Sequence, residues 1–167
     1  MSEPLPLPYA AVLLGIGASL FIDAWTALRR RLFGIPALDY ALVGRWLAHL
    51  PRGRFRHASI AAAGTVRGEA LLGWTAHYLI GIAFAAALLL GAGAGWLRDP
   101  TPGPALLAGL VSTAAPFLLL QPGLGAGIAA ARTPRPWQAR AQTVLTHALF
   151  GLGLYLTALA ANLRNPF

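Results

Sequence analysis

The sequence contains neither cysteine nor lysine, and it is poor in charge of either sign. Without thiols, the chain has no disulfide bonds, thiolate nucleophiles, cysteine-ligated zinc or iron–sulfur clusters. Only 11% of the 167 residues are charged and 57% are hydrophobic, whereas soluble domains carry about 25% charged residues. This balance indicates a chain whose surface faces lipid.

All 13 basic residues are arginines, and they give the chain a formal net charge of +8. They lie between apolar runs rather than along one soluble surface, which argues against nucleic acid as a partner. We interpret them as topology signals and as contacts to a bilayer with anionic headgroups. The abundance of alanine, glycine and proline, with arginine in place of lysine, is typical of a GC-rich bacterial genome.

Four apolar runs are long enough to cross a hydrocarbon core of roughly 30 Å at about 1.5 Å per residue. They lie at about residues 9–28, 70–97, 104–121 with a broken continuation to 131, and 139–163. The sequence therefore predicts an all-α integral membrane bundle of four transmembrane helices in a single domain. Four spans make a thin bundle, so we expect a homo-oligomer that buries more polar surface.

The distribution of arginines predicts the orientation of the chain in the membrane. Arg29, Arg30 and Arg31 follow the first span directly, and the loop 29–69 is strongly basic. The positive-inside rule then places this loop in the cytoplasm and both termini outside, in a bacterial inner membrane. Residues 1–8 contain Glu3 and no basic residue, so we expect no cleavable secretory signal.

The basic loop is predicted to contain a short interfacial helix. Residues 38–49 place apolar side chains at helical spacing behind a capping residue, Asp39, and they include Trp46. The arginine strip, which comprises Arg52, Arg54 and Arg56, follows together with His57. We expect these four side chains to contact lipid phosphates.

The third span is predicted to break near its cytoplasmic end. Gln121 is followed by Pro122, which removes a backbone donor, and by Gly123, Gly125 and Gly127. Non-helical backbone at membrane depth is tolerated only where it is buried in protein or lines a water-filled cavity. The freed amides would suit an anion and the freed carbonyls a cation. The alternative is a kink that serves helix packing.

One strongly polar residue lies in each span: Asp23, His77, Gln121 and His147. Counted from the cytoplasmic boundaries, all four lie roughly 9–16 Å into the membrane, in its inner half. A carboxylate beside two imidazoles can bind a cation, hold a proton or form part of a metal site. The sequence therefore predicts a polar pocket, and the alternative is interhelical hydrogen bonding that holds the bundle together.

The chemistry that these residues perform is left open by the sequence. It contains no His-Glu-x-x-His motif and no identifiable Ser-His-Asp set, so no catalytic residue, cofactor or metal is assigned. We favour binding or transport of a small solute or ion. The alternatives are a membrane-embedded enzyme, which acts on a lipid or phosphorylated substrate at the cytoplasmic face through His49, His57, Asp39 and the arginine strip, and a non-catalytic assembly subunit.

Four motifs carry a resemblance to a known family. They are Leu38-Asp-Tyr-Ala-Leu-Val-Gly-Arg-Trp, Gly73-Trp-x-x-His-Tyr, Gln121-Pro-x-x-Gly-x-Gly and Thr133-Pro-x-Pro-Trp. In these motifs the chain resembles a bacterial family of small four-span membrane proteins known only as a domain of unknown function. The resemblance covers nearly the whole chain and implies a single membrane domain, without an activity or ligand.

Overall fold

The computed structural model describes residues 6–164, and every regular element within that range is helical. Four segments are long and apolar enough to span a membrane: Leu7–Phe33, Glu69–Ala92, Pro102–Leu124 and Pro136–Asn162. They confirm the predicted all-α fold with four membrane-spanning helices, so the chain is a multi-pass membrane protein. The prediction about the amino-terminal signal falls mostly on residues 1–5, which lie outside the described residues.

Large apolar side chains remain exposed along the spans. In the first three spans, Leu20 is 53% exposed, Leu90 is 79% exposed and Leu107 is 62% exposed. Soluble monomers rarely expose contiguous apolar surface of this kind, whereas hydrocarbon solvates it without cost. These side chains are therefore the surface that the bilayer covers.

The first span, α1, runs from Leu7 to Phe33 and has a proline in its first turn. Proline is tolerated there because the first helical N–H groups have no partner within the helix. The helix ends at Gly34, which adopts a left-handed conformation (φ 64°) and donates its N–H to the carbonyl of Arg30. This is the usual glycine stop of a helix.

The short helix predicted in the basic loop is present as α2, Tyr40–His49. The Asp39 carboxylate accepts a hydrogen bond from the N–H of Ala41 at 2.9 Å and so caps the helix. A 3₁₀ turn, Leu50–Arg52, continues α2 and ends at Gly53. The second span, α3, then runs over Glu69–Ala92, and the fourth, α6, over Pro136–Arg164.

The third span is irregular over more of its length than the sequence predicts. It begins as α4, Pro102–Val111, continues as a π-helical turn, Pro116–Leu120, and ends as α5, Gln121–Leu124. Pro116 lacks an N–H and so interrupts the helical hydrogen bonds one turn before Gln121. The chain leaves the helix at Gly125, whose φ is 100°.

The chain forms two compact units, each built from several stretches of sequence. The first unit takes the described residues of Met1–Pro36, Tyr78–Val111 and Thr146–Phe167. The second unit takes Ala37–His77 and Ser112–Leu145. Of the four polar residues that the sequence predicts to form a pocket, Asp23 and His147 lie in the first unit, and His77 and Gln121 lie in the second.

Small residues let the helices of the first unit approach closely. A β-carbon at Gly15 in α1 would lie 2.6 Å from the backbone nitrogen of Ile82 in α3. Likewise, a β-carbon at Gly109 in α4 would lie 2.8 Å from the Cα of Gly151 in α6. Such contacts are the main means by which helices associate in lipid, where hydrophobic burial contributes little.

Candidate functional site

Asp23 and His147 belong to the first unit. The hydroxyl of Tyr78 in α3 donates a hydrogen bond of 2.8 Å to Oδ2 of Asp23, which is half-buried in α1. His147 is half-buried in α6 at the crossing with α4, where its carbonyl faces Gly109. Asp23 therefore makes the kind of interhelical hydrogen bond that was the alternative to a binding role.

His77 belongs to the second unit and lies in an aromatic cluster. Its ring centroid is 4.5 Å from that of Tyr40 and 5.8 Å from that of Trp74, and the latter pair of rings meets edge to face. The rings of Tyr40 and Trp74 are 4.5 Å apart. These contacts attach the start of α2 to the first turns of α3.

Gln121 opens α5 in the second unit, and its two amide atoms are in different situations. Its Nε2 donates a hydrogen bond of 3.1 Å to Oγ1 of Thr143, which itself donates to the carbonyl of Ala139 at 2.9 Å. Because the single hydrogen of the Thr143 hydroxyl is donated to Ala139, the hydroxyl oxygen accepts the hydrogen bond from Gln121. The amide atom that faces Thr143 is therefore the nitrogen. The other atom, Oε1, is buried and has no hydrogen-bond partner among the described residues.

Gly123 and Gly125 hold the break against the loop that follows α2. The N–H of His57 donates to the carbonyl of Gly123 at 3.1 Å, and the N–H of Ile60 donates to the carbonyl of Leu124 at 3.1 Å. A β-carbon at Gly123 would lie 2.6 Å from Cε2 of Trp46. Carbonyls freed by the break are therefore engaged by protein N–H groups, and only glycine fits beside the indole.

Two histidines next to this break form a hydrogen-bonded pair. Nδ1 of His49 lies 2.9 Å from Nε2 of His57, and Nδ1 of His57 lies 3.2 Å from the carbonyl oxygen of Gly123. A carbonyl only accepts, so Nδ1 of His57 carries a hydrogen, and Nε2 of the neutral ring is an acceptor. His49 therefore donates from Nδ1, and its own Nε2 carries no hydrogen in the neutral state.

The surroundings of His49 oppose a positive charge on its ring. The residue is only 5% exposed. Burial lowers the pKa of His49 below its ordinary value, and repulsion from a proton on His57 or from the neighbouring arginines lowers it further. The arginines concerned are Arg52, Arg54 and Arg45.

Arg45 fixes the second unit from the middle of α2. Its Nε and Nη2 donate to the two oxygens of Glu69, at 2.9 and 2.7 Å, and Nη1 donates to the carbonyls of Ile60, Ala61 and Ala63. Glu69 also accepts the N–H of Val66 at 2.8 Å. Hydrogen bonding to Glu69 raises the pKa of Arg45, so the guanidinium stays charged.

The arginine strip of Arg52, Arg54 and Arg56 is exposed, and His57 beside it is half-buried. Asp39 is engaged as the cap of α2 rather than joined to this strip. Among the described residues, no group of three or more histidine, aspartate or glutamate side chains is placed to hold a metal ion.

The structure groups part of the predicted site and leaves the rest untested. It brings Gln121, Gly123, Gly125 and His57 into one connected arrangement, whereas Asp23 and His147 lie in the other unit. A pocket that all four polar residues share stays a prediction. The sequence did not reveal Tyr78 and Thr143 as partners. It indicated Arg45 as a topology signal and a headgroup contact, and its pairing with Glu69 was not predicted.

Residues 12–161 match the model of one protein family, which is described as a protein of unknown function (DUF2938). No curated protein and no solved structure matches the chain.

Proposed function

Because the chain belongs to the DUF2938 family of unknown function, we propose its role from its own chemistry: it binds and transports a small solute or ion, with Gln121 as a direct contact. The solute is a cation or a donor of hydrogen bonds. The protein performs this role in a bacterial inner membrane.

The observation that carries this proposal is the buried Oε1 atom of Gln121, which accepts no hydrogen bond from the described residues. A buried acceptor that loses its partner costs about 1–3 kcal/mol. Unsatisfied groups of this kind in folded proteins call for an explanation, such as a ligand, an ion or a water molecule. The amide of Gln121 is held by Thr143 in the orientation that presents this oxygen.

The backbone around Gln121 supports the same proposal. The residue lies between a π-helical turn and a left-handed glycine, Gly125. π-Helical turns occur frequently at functional sites, and irregular backbone in a membrane span is found at substrate and ion sites of transporters.

The proposal is tested with ammonium and methylammonium as probes on the full chain in liposomes. A bound probe raises the melting temperature of the native state. We expect this rise, and probe uptake, in the wild type and in the Gln142→Met variant, since Gln142 is exposed. The Gln121→Met variant should lose both, and equal responses in all three proteins would refute the role of Gln121.

A second proposal concerns the arginine strip, which we infer contacts anionic lipid headgroups. Three exposed guanidinium groups within five residues attract phosphates, at about 1 kcal/mol per arginine near the surface. Replacing Arg52, Arg54 and Arg56 with glutamine should release phosphatidylglycerol observed by native mass spectrometry. The charge-matched comparison replaces the exposed Arg30, Arg31 and Arg135. It should release less lipid, because those arginines come from two separate segments whereas the strip concentrates its charge in one. Equal lipid retention by both triple variants would contradict this assignment.

A further inference from the structure

The histidine pair of the second unit connects three separate stretches of chain. His49 is the last residue of α2, His57 lies in the loop that follows, and the carbonyl of Gly123 belongs to the broken third span. The N–H groups of His57 and Ile60 attach the same loop to the carbonyls of Gly123 and Leu124. The state of the two rings therefore affects how firmly the loop 57–60 is attached to the break.

The intact pair has room for one additional proton. A proton that binds at Nε2 of His49 leaves both hydrogen bonds in place and makes the bond between the rings charge-assisted. A second proton would put N–H groups on both nitrogens that lie 2.9 Å apart. The two rings therefore exchange protons as one unit rather than independently.

The charged groups around His49 disfavour the binding of this additional proton to its ring. Arg45 lies on α2 itself, and Arg52 and Arg54 come from the turn and loop after it. Glu69 at the start of α3 is the acidic group that interacts with His49, and Arg45 already occupies both of its oxygens. A state in which the rings separate and become hydrated binds the proton more tightly, so acid favours separation.

We propose that His49 and His57 form a proton-binding site that controls the attachment of the loop 57–60 to the break in the third span. With both rings neutral, the loop is held. Acid shifts the equilibrium toward the state with separated rings, in which the loop is detached and the carbonyls of Gly123 and Leu124 are free. The effect of loop detachment on solute binding rests on the proposed function, since Gly123 lies two residues after Gln121.

Two measurements on the full chain in lipid nanodiscs test the site without any solute. The protein has four histidines, so the ¹⁵N spectrum of histidine-labelled protein resolves each ring and its tautomer. We expect two neutral rings with hydrogen on Nδ1 that titrate together with one proton. Hydrogen exchange then reports opening at the amides of His57 and Ile60, corrected for the intrinsic pH dependence of exchange.

The linkage between proton uptake and loop opening determines how strongly the opening constant should depend on pH. One proton taken up per opening raises the opening constant by at most about tenfold for each pH unit of acidification. The His49→Asn variant keeps a side-chain N–H near the position of Nδ1 but does not titrate. It should retain protection of both amides and depend less on pH than the wild type, because one of the two imidazoles of the site remains. Gln142→Met, at an exposed position of the same unit, is the control and should behave as the wild type.

The proposal is overturned if exchange at His57 and Ile60 in the wild type is independent of pH. It is also overturned if the dependence persists unchanged in His49→Asn. These outcomes are separate from the role of Gln121, which fails only if ammonium acts equally on wild type and Gln121→Met. A pH-dependent loop with no Gln121-dependent solute would leave the proton site standing and remove the transport proposal.

Discussion

Arg45 in α2 and Glu69 at the start of α3 form a bidentate ion pair across 24 positions of sequence. Their side chains are 9% and 15% exposed. All the nitrogens of the guanidinium donate to Glu69 or to backbone carbonyls of the loop. The ion pair between Arg45 and Glu69 thus connects the two ends of the segment 46–68. This segment contains both the histidine pair and the arginine strip.

Removing one member of this pair should destabilise the protein more than removing both. Arg45→Met leaves a carboxylate without its cation, and we expect the melting temperature to fall by roughly 10 °C. The double variant Arg45→Met/Glu69→Leu leaves no orphaned charge and should recover part of this loss. Differential scanning calorimetry in detergent measures both, and an additive double variant would contradict the pairing.

Glycine is required where α2 crosses α3. A β-carbon at Gly73 would lie 3.0 Å from the backbone nitrogen of Gly44, and it would also contact the carbonyl of Tyr40. Gly73→Ala should therefore cost about 1–3 kcal/mol through overpacking. Gly91→Ala, on the same helix but facing open space, should instead gain about 0.5–1 kcal/mol. Equal stabilities of the two variants in chemical denaturation would refute the close crossing.

The hydrogen bond between Tyr78 and Asp23 should appear as coupling between the two residues. Tyr78→Phe removes only the donor, and we expect a loss of about 1 kcal/mol. In a double-mutant cycle with Asp23→Asn, the two effects should not add. Tyr155→Phe serves as the control, because Tyr155 lies in the same unit and is also half-buried. Additive effects in the cycle would show that the bond contributes nothing.

The lowered pKa of His49 predicts how stability depends on pH. Its folded-state pKa lies below the ordinary value of 6.5, so the unfolded chain takes up the proton first as the pH falls. The stabilising contribution is therefore complete above pH 6.5 and is lost as the pH falls toward the folded-state pKa. The unfolding free energy of His49→Asn should fall less than that of the wild type between about pH 7 and about pH 5.

The four spans and the capped helix α2 could be predicted because each depends on local sequence. Length and hydropathy identify a membrane helix, and Asp39 before an apolar periodic run identifies a helix start. The break after Gln121 was likewise visible in its proline and glycines. The π-helical turn before it was not, because one proline does not determine which hydrogen-bond pattern the preceding turn adopts.

The partners of the polar residues could not be predicted from the sequence. Counting residues gives the depth of Asp23 in a helix but not the direction in which its side chain points. That direction depends on how α1 and α3 pack, and the packing brings Tyr78 to the carboxylate. The pairing of Arg45 with Glu69 depends in the same way on the crossing at Gly44 and Gly73.

Replacing the Gln121 amide should affect solute binding much more than the stability of the protein. Gln121→Met removes the unsatisfied Oε1 together with one hydrogen bond to Thr143. We expect its unfolding free energy to change by less than about 1 kcal/mol, since an apolar group avoids the cost of the unmet acceptor. Solute binding should nevertheless be lost. A large destabilisation measured by denaturation would mean that Gln121 is mainly a packing residue.

The most direct test of the account is an experimental density map of the full chain in lipid nanodiscs with ammonium present. We expect non-protein density within hydrogen-bonding distance, about 3 Å, of Gln121 Oε1. The same density should be absent from Gln121→Met. A map that shows this oxygen bonded to a protein donor, with no added density in the wild type, would contradict a role for Gln121 in solute binding.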